Sequence, residues 1–355
     1  MTRRTAIWLL VMAVALTGSC VFGDLLTVKN AHGELRLNGL IQTYYAMFEK
    51  DKDYPIDTFV PSDTFELHRV LLGVEGSVYE KIDFGMCVEL DHSPTLLDAW
   101  IRLKYIPKVD LTFGQMWKPV TYEALTSSAE LPFVFYAAPT QWLIDTGLVS
   151  RDIGAKATFH LEKDDFTMFL LEGGVFNGTG INASDNNDQK DWVARACLQP
   201  VKGINFFGNY TRGTHGIKVF GEGHDEHQQY SAGFAVDYEG LDMVGEWMGL
   251  HYHRLFAVDP SMNGYGWYMH LGYKIDTGCD YFSKVEPIVR YEYVDPDCDK
   301  HMLNDLERLV TYGLNVFIDE NYAKLQLNYI WNIDDSGPGC EIADNVFVAQ
   351  LQAHF

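Results

Sequence analysis

Residues 345–355 read Asn-Val-Phe-Val-Ala-Gln-Leu-Gln-Ala-His-Phe, and their pattern is the most informative in the chain. Apolar and polar side chains alternate, so that Phe347 and Leu351 fall on one face and Gln350 and Gln352 on the other. Because successive side chains of a β-strand point to opposite faces, this alternation predicts a strand with one apolar and one polar face. The segment spans about ten residues, whereas a typical strand has five or six.

Three upstream segments, residues 267–275, 310–319 and 322–333, repeat this pattern. Alternation alone is compatible with a soluble β-sandwich, because a sandwich also buries one face of each strand. Strand length and aromatic residues near the ends of the apolar faces favour a barrel in the outer membrane, where lipid covers the apolar face. The predicted fold class is therefore all-β, a transmembrane antiparallel β-barrel in which every backbone group is paired.

Sixteen strands are predicted, and the lengths of their connections support the barrel. Connections after even-numbered strands are short, whereas most connections after odd-numbered strands are long. Short periplasmic turns that alternate with longer outside loops are typical of bacterial barrels. About 16 strands enclose water rather than a packed core, so we expect a passage. The predicted strands are residues 33–49, 64–80, 82–90, 97–106, 109–118, 148–161, 166–176, 190–198, 204–212, 227–238, 243–252, 267–275, 283–294, 308–318, 322–333 and 346–355.

The N-terminal residues 1–23 have the pattern of a secretory signal peptide. Arg3 and Arg4 precede a short apolar run, and small residues follow it up to Gly23. This order of charged, apolar and small residues predicts export, with the barrel formed by residues 24–355. A lipoprotein processed at Cys20 is the alternative, although the leucine of its motif lies one position too far from the cysteine.

The charge of the chain excludes one class of function. The 355 residues carry 27 basic and 49 acidic side chains, a net charge of −22. Nucleic-acid binding requires a basic face, so no nucleic-acid partner is expected. The outside connections hold 23 of the acids and only 5 of the bases, which predicts a negative mouth that attracts cations and repels anions.

The longest connection, residues 119–147, is the third outside loop and also the most apolar one. It contains Phe133, Phe135, Tyr136 and Trp142. An apolar loop is costly to expose to water, so we expect it to fold into the lumen and to narrow the pore. Packing against a neighbouring subunit is the alternative.

Residues 64–154 carry a series of short motifs that lie on the predicted strands in a consistent order. The motifs are Phe65-Glu66-Leu67-His68-Arg69, Leu97-Asp98-Ala99-Trp100, Gly114-Gln115-Met116-Trp117-Lys118-Pro119, Glu123-Ala124-Leu125-Thr126-Ser127 and Arg151-Asp152-Ile153-Gly154. In these motifs the chain resembles the phosphate-selective porin O and P family of Gram-negative outer membranes. The resemblance implies a sixteen-stranded, trimeric channel for small solutes, with outer-membrane lipid and lipopolysaccharide as its surroundings.

Strand parity places a mixed set of charges on the lumen wall. Most of them are expected to pair across neighbouring strands, and Arg102, Lys104 and Lys118 are the expected exceptions because their strands flank the long loop. The candidate pore-lining residues are Arg69, Arg102, Lys104, Lys118, Lys156, Arg195 and Arg290.

Selectivity is predicted from the charges of the loop. The resemblance implies that anion selectivity depends on lysines and arginines at the constriction, but no basic residue lies between Lys118 and Arg151. Instead, Glu123, Glu130 and Asp145 lie there. Because rings of one sign of charge set selectivity, we expect a general or weakly cation-preferring pore. The alternatives are an anion- or phosphate-selective porin and an adhesin or structural barrel without an open pore.

The remaining reactive residues point to no enzyme, cofactor or metal site. No Gly-x-Ser-x-Gly motif and no Ser/His pair set on one strand is present, so no catalytic residues are assigned. His251 and His253 share a strand face, and wet loop residues are expected there rather than a metal site. Export permits disulfides, and Cys298 with Cys340 is the hypothesised pair, because both lie in outside loops of nearby hairpins.

Overall fold

The computed structural model describes residues 27–49, 63–91, 93–215, 225–253, 261–279, 281–299, 306–319, 322–333 and 345–355. The alternating segments form strands, and two short helices lie between β6 and β7. The strands are β1 (Thr27–Asn30), β2 (Gly33–Phe48), β3 (Asp63–Val78), β4 (Ile82–Glu89), β5 (Thr95–Ile106), β6 (Val109–Trp117), β7 (Arg151–Lys163), β8 (Phe166–Phe176), β9 (Asp191–Val201), β10 (Ile204–His215), β11 (Asp225–Tyr238), β12 (Leu241–His253), β13 (Ser261–Tyr273), β14 (Ile275–Asp276), β15 (Lys284–Asp295), β16 (Glu307–Asp319), β17 (Ala323–Asn332) and β18 (Val346–His354). The helices are α1 (Tyr122–Leu125) and α2 (Ala138–Asp145).

Sixteen of these strands close into one antiparallel barrel. Each strand pairs with its neighbour in the chain, and β18 closes the ring by pairing with β2, where Phe347 lies opposite Met47. β14 continues β13 along β15, and β1 pairs with β2 beyond the end of β18. The predicted strand count is therefore confirmed. The largest difference is in β13, which begins at Ser261 rather than at residue 267 because its ladder with β12 extends that far.

Tight turns connect the strands at one end of the barrel. The turn from β11 to β12 consists of Glu239 and Gly240, with φ angles of 50° and 86°. Positive φ at both central residues is the type I′ geometry, whose twist matches that of the flanking strands. A two-residue connection, Pro107 and Lys108, likewise joins β5 to β6. These short connections follow the predicted alternation.

The two faces of the strands have the polarity of a membrane barrel. In β18 the outward Leu351 is 51% exposed, whereas the inward Gln350 and Gln352 are buried. Trp192 and Trp331 are likewise exposed on the outer surface. An apolar outer band with aromatic residues and a polar interior is the arrangement that lipid requires. No helix among the described residues is long and apolar enough to cross a membrane.

The barrel encloses the segment between β6 and β7, residues 118–150. Apolar side chains of this segment pack on inward-facing side chains of the wall, among them Phe176 and Met248. Leu143 of α2 and Val149 have no exposed surface. The main apolar cluster of the barrel thus lies between its wall and a segment that runs through its interior. The predicted signal peptide and Cys20 lie outside the described residues.

Candidate functional site

The lumen wall holds the interior segment mainly through Arg290 of β15. Its guanidinium lies 3.1 Å from Glu123 Oε1 and 2.8 Å from Glu292 Oε1. It also donates to the carbonyl oxygens of Phe135 and Tyr136, at 3.2 and 3.3 Å. Arg290 is only 2% exposed. The prediction that Arg290 lines the water-filled pore is therefore wrong, because the segment covers it completely.

Glu123 of α1 is oriented toward the wall rather than toward open space. Besides its ion pair with Arg290, its carboxylate accepts from the backbone N–H of Ala137 at 2.9 Å. Burial raises the pKa of the Glu123 carboxyl, and the Arg290 guanidinium opposes this rise. The expectation that Glu123 contributes an acidic charge to the constriction is therefore wrong.

A row of polar side chains on β2 and β16–β18 supports the extended part of the segment. Lys324 Nζ donates to the carbonyls of Ala129 and Leu131, at 3.0 and 2.9 Å. Gln352 also donates to the Ala129 carbonyl, at 2.9 Å. Buried backbone groups outside regular structure require such partners. We call this row the polar rail; it consists of Gln42, Asn315, Lys324, Gln326, Asn328 and Gln352.

The beginning of the segment is fixed on the opposite side, at β9–β12. Lys118 Nζ lies 3.0 Å from Asp191 Oδ2, and both side chains are almost completely buried. Lys118 was expected to be an unpaired pore charge, so this prediction is wrong; burial of an ammonium requires a partner. The backbone N–H of Tyr122 donates to Glu246, and the Tyr122 ring stacks on Phe207. Burial raises the pKa of Tyr122 to about 12.

Charges on β4–β9 pair with one another, either on adjacent strands or, for Arg151 of β7 and Asp98 of β5, across the strand between them. Lys104 lies 2.8 Å from Asp83, and Arg151 lies 3.0 Å from Asp98. The expectation that Lys104 stays unpaired is therefore wrong, since Asp83 faces the same side one strand away. Lys156 and Arg195 flank one carboxylate, Glu172, at 2.7 and 2.8 Å, as expected for lumen charges on adjacent strands.

Two arginines on this side contact aromatic rings. The Arg102 guanidinium lies 4.8 Å from the centroid of the Trp100 ring. Arg69 donates to the amide oxygen of Gln42 at 2.9 Å and lies 5.5 Å from the ring of Tyr136. Arg69 therefore marks the place where the wall of β3 faces the interior segment.

A cavity of about 520 Å³ lies against the interior segment. Glu130 lines it and is exposed, as expected for a pore acid. Asp145, also exposed, accepts from Gln141 on the same helix at 2.7 Å. The cavity is lined by five carboxylates and three lysines, Glu123, Glu130, Asp237, Asp242 and Glu286 with Lys274, Lys284 and Lys324.

Comparison with known proteins finds one matching family model. Residues 41–210 match the family model described as phosphate-selective porin O and P. Over these residues, slightly under half of the chain, the sequence is similar to that family. The resemblance inferred from the sequence motifs is thus confirmed. No curated protein matches the sequence.

Solved structures of other outer-membrane proteins share the fold of this porin. OmpT of Vibrio cholerae is 13% identical, covers 93% of this chain and 100% of its own, and has a TM-score of 0.60. An anion-selective porin from Comamonas acidovorans is 12% identical, covers 91% of this chain and 100% of its own, and has a TM-score of 0.62. OmpF of Salmonella typhi, in complex with daunomycin, is 12% identical, with coverages of 93% and 100% and a TM-score of 0.63. Such identities show the fold alone.

Family and fold together identify the porin as an outer-membrane channel protein. Among the described residues, no group of three or more His, Cys, Asp or Glu side chains is placed to hold a metal ion. His251 and His253 contact Asn263 and Ser261. The Cys298 sulfur donates to the Asn263 carbonyl at 2.9 Å, and its predicted partner Cys340 lies outside the described residues, so that the pairing stays a prediction.

Proposed function

We propose that the chain forms a water-filled channel for passive diffusion of small hydrophilic solutes and ions, general or weakly cation-preferring, and that it is not an enzyme. The observation that carries this proposal is the pairing of the lumen cations. Lys104, Lys118, Arg151 and Arg290 each have a carboxylate partner. A selective anion pore needs a concentration of unpaired positive charge, whereas paired charges leave little net field.

The cavity of about 520 Å³ beside the interior segment supports the proposed cation preference. Glu123 is neutralised by Arg290, but the four other carboxylates still outnumber the three lysines, and Lys274 is within 3.5 Å of both Asp237 and Asp242. The acidic connections at the other end of the barrel add to the same sign of charge. A negative potential raises the local concentration of cations.

The architecture of the proposed channel follows the interior segment. Residues 119–147 form its constriction, since they cross the lumen and contact β15–β18 on one side and face Arg69 on the other. Residues 1–23 direct export and are removed. We also propose a homotrimer in contact with lipid and lipopolysaccharide; one structure of the Vibrio cholerae OmpT is described as a trimer form.

The reversal potential of the channel in a planar bilayer under a potassium chloride gradient tests the proposal. We expect stepwise conductance and a small potential of the sign that indicates cation preference. A large potential of the opposite sign, or a current carried by phosphate, contradicts it. A silent bilayer favours an adhesin or a structural barrel.

Anion or phosphate selectivity is the second candidate, and one observation favours it. Arg69, Arg102 and Arg151 lie on the same wall, and aromatic rings lie beside all three. The matched family model is that of phosphate-selective porins. Only Arg151 of the three is paired with a carboxylate of the described residues. Replacing Arg69 and Arg102 by Gln separates the two candidates, because the channel then loses anion current only if these residues carry it.

A further inference from the structure

We propose that the wall of β3–β5 contains a binding subsite for small zwitterions, of which an α-amino acid is the simplest, formed by Glu75, Trp100 and Arg102. The proposal rests on the proposed function, because the subsite lies in the channel. It adds a class of solute that the wall retains for a short time during passage.

The subsite lies in a cavity of about 270 Å³ whose other charges neutralise one another. Arg36 is paired with Glu34, and Lys104 with Asp83. Within the described part of the chain, Glu75 and Arg102 form no ion pair. One carboxylate and one guanidinium therefore face the same water-filled space with their charges available to a solute.

The indole ring of Trp100 lines the cavity between Glu75 and Arg102. A Cβ atom placed on Gly85 would lie 2.5 Å from Cζ2 of Trp100, so the indole ring lies directly against the backbone of β4. Gly85 of β4 pairs with Glu75 of β3 on one side and with Trp100 of β5 on the other, so the three residues form one row across the sheet. Their Cα atoms are thus two strand spacings, or about 10 Å, apart.

Arg102 is oriented by the same ring. Its guanidinium lies 4.8 Å from the Trp100 centroid, which holds it beside the ring and leaves its N–H donors available. A planar guanidinium binds a carboxylate with two parallel hydrogen bonds. The carboxylate of a bound zwitterion would contact Arg102, its ammonium group would contact Glu75, and its side chain would lie on Trp100.

Current block by three related solutes tests the subsite in single channels reconstituted from the full chain. L-Phenylalanine carries both charges, N-acetyl-L-phenylalanine carries only the carboxylate, and phenethylamine carries only the ammonium group. We expect saturable block by L-phenylalanine at lower concentration than by either of the others. The variants R102Q and E75Q each weaken the block by L-phenylalanine about three- to fivefold, which is typical of one exposed charge pair.

The variants also separate the two contacts. R102Q weakens block by N-acetyl-L-phenylalanine and not by phenethylamine, and E75Q does the reverse. The matched controls K108Q and E239Q remove one charge of each sign from the exposed turns that connect β5 to β6 and β11 to β12, and they leave block by L-phenylalanine unchanged. We expect every variant to have a potassium chloride conductance close to that of the wild type, which would show that the variant is folded.

The outcomes distinguish this proposal from the one on which it rests. Two results would overturn the subsite and leave the proposed channel intact. In the first, the channel conducts but L-phenylalanine blocks it no better than its two analogues do. In the second, L-phenylalanine blocks R102Q and E75Q as well as it blocks the wild type. A bilayer without conductance overturns both proposals.

Discussion

Two walls of the same barrel use their inward polar residues in different ways. On β15–β18, Arg290, Lys324 and Gln352 are buried and hold the interior segment. On β3–β5, Glu75 is exposed, and Arg102 and Lys104 are partly exposed, beside water-filled space. Both walls show the same alternation of polar and apolar residues. An inward polar side chain of this barrel therefore has one of two kinds of partner, water or a folded segment of the chain.

Of the substitutions on the two walls, removal of Arg290 is expected to have the largest effect on stability and conductance. R290M leaves Glu123 and Glu292 buried without their cation, and loss of one partner of a buried ion pair typically costs about 3–5 kcal/mol. We expect a lower unfolding midpoint in urea and a larger, noisier single-channel conductance. The matched control R36M changes an exposed arginine and leaves both nearly unchanged. A normal conductance for R290M would show that the segment is held without it.

Removal of the Lys324 ammonium is expected to have the next largest effect. K324M leaves the carbonyls of Ala129 and Leu131 without one donor each, at a cost of about 1–3 kcal/mol. The urea midpoint falls, but by less than in R290M, because Gln326 and Gln352 continue to donate to the same carbonyls. K284M, on the exposed start of β15, serves as the control. Equal urea midpoints for K324M and wild type would show that Lys324 does not stabilise the interior segment.

Glu123, which contacts the wall of β15–β18, is expected to make the free energy of unfolding depend on pH. Because burial raises its pKa, the folded chain binds this proton more tightly than the unfolded chain does. Its contribution to stability is complete below the pKa of an ordinary glutamate and is lost as the pH rises through its own, raised pKa. The difference in unfolding free energy between wild type and E123Q should change across this window. A difference that is independent of pH would contradict the assignment.

The smallest effects are expected on the open wall. K104Q breaks a partly exposed ion pair with Asp83, so stability changes by at most about 1 kcal/mol. The reversal potential shifts toward cation preference, because the Asp83 charge is left without its partner. D83N is the reciprocal variant and shifts it toward anions. Shifts of the same sign in both variants would show that neither charge faces the permeating ions.

Much of the barrel could be predicted from the sequence because its signal is local. Period-two alternation in β18 and β17 requires no knowledge of the partner strands, and turn lengths are counted directly. The motifs around Trp100 and Trp117 likewise led to the family that the comparison confirms. The parity of each strand also predicted that Lys156 and Arg195 face the lumen, and in the structure both pair with Glu172.

The site was predicted less well, because its contacts join residues that are far apart in the chain. Arg290 and Glu123 are 167 positions apart, and Lys324 lies 195 positions from Ala129. The sequence predicted neither pair. A signal was present, however: apart from Lys324, the inward polar residues of β17 and β18 are mainly amides, Gln326, Asn328, Gln350 and Gln352, rather than charges. Amides donate and accept without the cost of burying a charge, which suits them to a backbone segment.

The sequence alone is enough to predict that polar and apolar side chains alternate, that the strands are long enough for a membrane and that the lumen is polar. Those properties depend on the order of side chains along each strand. Only the tertiary structure decided which polar residues face water, since residues 118–150 cover one wall and leave the other open. The physical reason is that the extended backbone of that segment requires hydrogen-bond partners, and only the closed barrel brings Arg290 and the polar rail around it.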